Sequence, residues 1–166
     1  MIFGPIFGAT RISQWQLEGM CLAESAEALK ILVDAGAEVN VRDSRGETPL
    51  HSIFRRYAAF DYACGCDAEV AERKIKILLD AGTDVNARDE NGNTPLHLMV
   101  EEVFQSSTLK GERANALEAL GVMIDSRGDN WIKNQADQTP FEYGKGYCEN
   151  VELMEKVKQH LGLQDL

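Results

Sequence analysis

Arg88 to Val100 reads RDENGNTPLHLMV, and Arg42 to Phe54 reads RDSRGETPLHSIF, so Thr94 and Thr48 stand 46 positions apart in one shared phrase. A worn third copy, NQADQTPFEYG, places Thr139 45 positions beyond Thr94. A catalytic motif is needed once, whereas a phrase repeated at a steady period marks a structural unit. A second phrase precedes each turn: ILVDAGAEVN at Ile31–Asn40, ILLDAGTDVN at Ile77–Asn86 and VMIDSRGDNW at Val122–Trp131.

The letters of the unit have physical reasons. In Thr48-Pro49 and Thr94-Pro95 the hydroxyl can cap a helix, while proline supplies the preset φ of a first turn, where its missing N–H costs nothing. Ala71, Ile75, Leu78 and Leu79 recur at the three-to-four spacing of one buried helical face, and Gly82 follows as a left-handed stop. Leu29, Leu32, Val33 and Gly36 repeat that arrangement. Arg42 to Gly46 and Arg88 to Gly92 carry the Asp, Asn and Gly chemistry of a tight turn projecting into solvent. The unit therefore reads helix, stop, turn, Thr-Pro, helix.

These residues resemble the ankyrin repeat family, whose T-P-L-H signature is matched at Thr94-Pro95-Leu96-His97 and whose Asp-Val-Asn-Ala phrase and turn are matched from Asp84 to Gly92. The resemblance implies an all-α, ankyrin-type helix-turn-helix solenoid of about four repeats with projecting turns and a concave face. It gives a single domain over residues 1–166, with repeats at approximately 4–39, 40–85, 86–130 and 131–166. It further implies a protein-binding module that is not an enzyme, and local hydrogen bonding by His51 and His97 that ties each unit to the adjoining turn.

The period departs from the family's usual length of about 33 residues. Pro49 to Gly82 and Pro95 to Gly128 each span 33 positions and Pro5 to Gly36 spans 31, whereas Pro140 to Gly162 spans only 22. Recurring insertions at AAFDYACGCDAEVAE, FQSSTLKGERAN and SQWQLEGMCLAESAE are expected to add about one and a half turns to each paired helix. Asp67, Ser107 or Ser25 would then help to start the second one. The last unit, lacking the insertion, reads as a cap whose helix Val151–Leu161 presents Glu152, Glu155, Lys156, Lys158 and Gln159 to solvent. Its turn has Asp137 in place of Gly92, which is tolerable because Asp visits left-handed φ. The first unit keeps only Pro5, Ile6 and Ala9 of the signature and is apolar at Ile2, Phe3, Ile6 and Phe7. It folds back as its own cap, packs on another chain, or belongs to a longer array.

A net charge of −10 disfavours a nucleic-acid partner and fits a neutral or basic protein. No apolar run reaches the roughly 18 residues of a membrane span. Four cysteines without scaffold spacing point to a reducing, cytoplasmic setting, or a host cytoplasm for an effector. Cys64-Gly65-Cys66 lacks both metal-site spacing and a nearby His. No nucleotide-binding, hydrolase or zinc-protease motif is present, so no catalytic residue, cofactor or metal is expected. His160 is expected to face solvent, and Asp34, Asp80 and Asp125 recur at helix ends as repeat geometry requires.

Partners of this family meet the turn tips and the first helix of each unit. By position, the resemblance selects Asp43, Ser44 and Arg45; Asp89, Glu90 and Asn91; Gln135 and Ala136; and, on the first helices, Arg55, Arg56, Glu101 and Glu102. The Arg and Glu pairs align between units, either as mutual ion pairs or as a pattern that sets partner register. The aromatics from Tyr57 to Tyr62 are expected to pack the lengthened helices. Fold-level analogy suggests an inhibitor, a toxin-neutralising protein or an effector; the alternative is a self-assembly module dimerising through the apolar first repeat.

Overall fold

Each Thr-Pro pair begins a helix. In the computed structural model, which describes residues 26–58, 68–105 and 112–163, prolines open α2 (Pro49–Ala58), α4 (Pro95–Gln105) and α6 (Pro140–Lys145). The partner helices are α1 (Ala26–Asp34), α3 (Ala68–Asp80), α5 (Glu112–Asp125) and α7 (Val151–His160). Among the described residues the elements are all helical. The first helices α2, α4 and α6 stack side by side, and α1, α3, α5 and α7 form a second layer against them.

The chain carries its own comparison for helix length. With the insertion, α4 and α5 have 11 and 14 residues; without it, α6 and α7 have 6 and 10. The inserted pair is thus about one turn or slightly more taller in each helix. Helices α1 and α3 begin directly after Ser25 and Asp67. Those two residues, Ser107 and most of the segments between paired helices lie outside the described residues, as do the first repeat before Ala26, Cys64, Cys66 and the side chains from Tyr57 to Tyr62.

The three-to-four spacing closes a core between the layers: Leu29, Phe54, Ile75, Leu78, Leu96, Met99, Phe104, Leu120, Met123 and Val157 are essentially inaccessible to water. Each such side chain contributes about 1.5–3 kcal/mol of burial. The stack is tightest at Gly144, where an added Cβ would stand 2.7 Å from Val100 Cγ1 and 2.9 Å from Phe104 Cδ2. Only a bare backbone lets α6 approach α4 so closely.

Every second helix ends in the same wrap. The amides of Ala37, Thr83, Gly128 and Leu163 donate to the carbonyls of Leu32, Leu78, Met123 and Lys158 at 2.9–3.1 Å, the long bond of a left-handed C-cap. The left-handed residues are Gly36, Gly82, Arg127 and Gly162. The expectation that Gly128 is the stop of the third unit is therefore corrected by one position. Arg127 takes the strained φ of 68°, and Gly128 must stay small because a Cβ would lie 2.8 Å from Met123 O. Asp137 does adopt left-handed φ, at 60°, in the place held by Gly46 and Gly92 in the other turns.

After each stop an asparagine reaches the next unit. Asn40 Oδ1 accepts from Asp84 N at 2.7 Å, and Asn86 Oδ1 accepts from Asp129 N at 2.8 Å while its Nδ2 donates to Arg127 O at 3.1 Å. Trp131 stands in that register in the last unit and is 58% exposed, while its neighbour Asn130 donates to Leu161 O at 2.5 Å.

Two substitutions test this backbone. Arg127→Gly removes the left-handed penalty and is expected to raise unfolding free energy by about 1 kcal/mol. Gly144→Val is expected to lower it by about 1–3 kcal/mol through overpacking of α4. Urea denaturation monitored by circular dichroism checks both.

Candidate partner-binding face

The turns are built from one clamp used three times. Asp43 Oδ1 accepts from the amides of Arg45 and Glu47 at 2.8 Å, Asp89 Oδ1 from those of Asn91 and Asn93 at 2.8 Å, and Asn134 Oδ1 from those of Ala136 and Gln138 at 2.9 and 3.1 Å. A side-chain oxygen that accepts from the amide two residues ahead is the Asx geometry that Asp and Asn favour in turns, and here it also takes the amide four ahead. Main-chain bonds from Asp43, Asp89 and Asn134 N to Glu47, Asn93 and Gln138 O close each turn at 2.9–3.0 Å.

Neighbouring turns are then joined edge to edge. Glu90 N donates to Arg45 O and Gln135 N to Asn91 O, both at 2.9 Å. Alongside runs a ladder of guanidiniums, Arg42 Nη1 to Arg88 O at 2.6 Å and Arg88 Nη2 to Lys133 O at 2.7 Å. The tips are thus hydrogen-bonded into one strip.

The histidines fasten that strip to the helices. His51 Nδ1 accepts from Thr48 N at 3.2 Å and lies 2.9 Å from Thr48 Oγ1, while Nε2 lies 3.1 Å from Asn93 O in the next unit. His97 repeats this with Thr94 at 3.1 and 2.9 Å and Gln138 O at 3.0 Å. A carbonyl only accepts and an amide only donates, so each ring is neutral, with its proton on Nε2. At the third helical position, the imidazole receives the cap residue's N–H, as Glu or Gln does in a capping box. The last unit has that box: Glu142 Oε2 accepts from Thr139 N and Oγ1 at 2.9 Å, and both bonds hold its pKa below the ordinary value. Among the described residues no later turn offers Glu142 a carbonyl, so an acceptor-only side chain suffices there.

Expected partner-facing residues divide into two groups. Ser44, Arg45, Glu90, Asn91, Gln135 and Ala136 are exposed at the tips. Asp43 is half-buried and Asp89 is only 7% exposed, and each gives its Oδ1 to the amides of its own turn. Glu102 is 5% exposed, in a stretch of α4 where Val100, Val103 and Phe104 are also buried. The Arg56 side chain lies outside the described residues. Arg55 is exposed, but the ion pair it makes is with Glu47, at 2.5 Å to Oε1, while Arg45 holds Oε2 at 2.9 Å. Glu47 itself is enclosed, and burial pushes its pKa up against the pull of the two guanidiniums.

Sequence reasoning missed the aromatic end of this row. Tyr143 of α6 stands edge-on to His97 at 5.8 Å and to Tyr147 at 6.1 Å. Burial, followed by the charge of Glu101, drives the Tyr143 pKa well above its ordinary value, and its hydroxyl hydrogen-bonds Glu101. Tyr147 is 51% exposed. The available signal was register: Tyr147 falls one repeat step beyond Glu102. The exposed side chains thus run from Arg45 and Arg55 through Glu90 to Tyr147, with half-buried Glu101 between them.

A family model described as "Ankyrin repeats (3 copies)" matches residues 18–105, more than half of the chain. The chain belongs to the ankyrin repeat family. Among solved structures, the crystal structure of the ankyrin repeat domain of Bcl-3, titled a unique member of the IkappaB protein family, superposes with a TM-score of 0.56 at 17% identity. The match covers 84% of this chain and 50% of that one, so the chain spans half the length of its structural neighbour, and the likeness speaks for the fold alone. Comparison with curated protein sequences finds no match. Ankyrin repeats generally mediate protein–protein interaction and are typically not enzymes. No described helix is long and apolar enough to cross a membrane, and no metal-holding group of three His, Cys, Asp or Glu occurs among the described residues.

Burial holds His51 and His97 below their ordinary pKa of 6.5. The unfolded chain therefore takes up these protons first, and the stability they confer is complete above about pH 6.5 and is lost as the pH falls through the lower folded values. The raised Glu47 acts in the opposite sense. The unfolding free energy measured in a Glu47→Gln background is expected to fall as pH is lowered below about 6.5. At neutral pH, His97→Ala is expected to cost about 1–3 kcal/mol by stranding Gln138 O and the Thr94 amide.

Proposed function

We propose that this ankyrin chain is a non-enzymatic scaffold that holds a neutral or basic protein against its turn tips and first helices, serving as an inhibitor, a toxin-neutralising partner or an effector in a cytoplasm. The observation that carries the reading is the division of labour within each turn. Asp43, Asp89 and Asn134 lock the backbone, and the next residues, Ser44, Glu90 and Gln135, remain exposed on a strip already fixed by Glu90 N–Arg45 O and Gln135 N–Asn91 O. Side chains on a preorganised strip lose little freedom on binding and can vary without disturbing the core. The net charge of −10 supports attraction of a basic partner over a polyanion. Dimerisation through the first repeat concerns residues outside those described.

The test is a charge-swap series. Against a partner recovered by cross-linking from the native extract, Glu90→Arg and Glu101→Arg are expected to slow association and flatten its salt dependence with little change in Tm. Lys76→Glu, on the outer layer at α3, is expected to leave binding intact. Loss of binding with Lys76→Glu and retention with both turn-side variants would move the site to the opposite face.

A further inference from the structure

A separate cleft of about 260 Å³ opens beside the last unit, lined by Trp131, Thr139, Phe141, Glu142, Lys145, Lys158, Asn130 and Leu163. It shares no residue with the strip above. Its wall is a stacking edge that no described residue covers. One repeat earlier, the matching residues Asn86, His97 and Val100 meet Arg127 O, Gln138 O and Gly144 of the following unit. In the last unit Trp131, Glu142 and Lys145 occupy these places, and no described residue stacks on them.

The replacements give the cleft a chemistry unlike the rest of this acidic chain. Trp131 is 58% exposed, and Phe141 lies beneath Lys158 Nζ at 5.8 Å from the ring centre. Lys158 also pairs with Glu155 at 2.9 Å, while exposed Lys145 makes no ion pair among the described residues. The one lining carboxylate, Glu142, has Oε2 committed to Thr139. The space is smaller than the roughly 300–1,000 Å³ of small-molecule sites and suits one large side chain. A net charge of −10 opposes polyanions, but it leaves two local ammonium groups able to meet isolated carboxylates.

We propose that this cleft is a second docking site, for an extended protein segment that inserts an aromatic side chain between Trp131 and Phe141 and sets flanking carboxylates against Lys145 and Lys158. Trp131 is its own reporter. The chain has two tryptophans, so Trp15→Phe leaves Trp131 as the only indole. The full chain carrying Trp15→Phe is titrated with the acetylated, amidated peptide Glu-Glu-Phe-Glu-Leu and with its counterpart bearing Lys in place of Glu.

The acidic peptide is expected to change Trp131 emission saturably below about 1 mM. The lysine peptide should bind several-fold more weakly, and Lys145→Glu should weaken the acidic peptide about three- to tenfold. Lys76→Glu, away from the cleft, should leave its affinity unchanged, and thermal melts verify that each variant is folded. Equal affinity for the two peptides, no saturable change, or equal losses for Lys145→Glu and Lys76→Glu would overturn the assignment.

Discussion

The structure depends on an imidazole that accepts on one side and donates on the other. His51 and His97 take the amide of their own cap residue at Nδ1 and give the Nε2 proton to a carbonyl of the following turn. Within one unit this completes a helix start; between units it couples that start to the neighbour's turn. Both rings are fully enclosed, and a buried polar group contributes only when all of its partners are present. Histidine meets both demands, whereas Glu accepts but cannot donate and Lys donates but cannot accept. Glu142 in the last unit shows the same logic with the second requirement removed.

Coupling of this kind leaves function to the residues that it does not employ. The turn clamp uses the first residue of each tip and the backbone bonds use main-chain atoms, so the side chains of Ser44 and Glu90 that follow are held in place but left exposed, while Gln135 Nε2 also donates to Glu90 O at 2.7 Å. The same separation explains how a family can change partners while keeping its fold: substitutions at Ser44 or Glu90 touch neither the clamp nor the core. The basic-to-aromatic run from Arg45 and Arg55 to Tyr147 gives the strip a direction, and a partner reading both ends has one register available.

Much of this was legible in the residues. The Thr-Pro pairs announced helix starts, the three-to-four apolar spacing named the buried face, and Asp137 was readable as a left-handed turn residue. The errors have physical causes. Gly128 drew the stop to itself because glycine favours left-handed φ, but the wrap needed that φ one residue earlier and imposed it on Arg127. Asp89 and Glu102 were selected by their position in the repeat, which does not show that an Asx clamp encloses the Asp89 carboxylate or that Glu102 is 5% exposed. Tyr143 and Tyr147 went unnoticed because a terminal helix pair was read only as a polar cap, and the cleft at Trp131 arises from stacking that a one-dimensional period does not display.

Nitrogen-detected NMR of the imidazole rings tests the two-sided coupling most directly. Neutral coupling predicts that His51 and His97 both carry the proton on Nε2 alone at pH 7 and remain uncharged in the folded protein as the pH passes below about 6.5. A proton on Nδ1 in the neutral ring, or protonation of either histidine in the folded state at or above about pH 6.5, would contradict it.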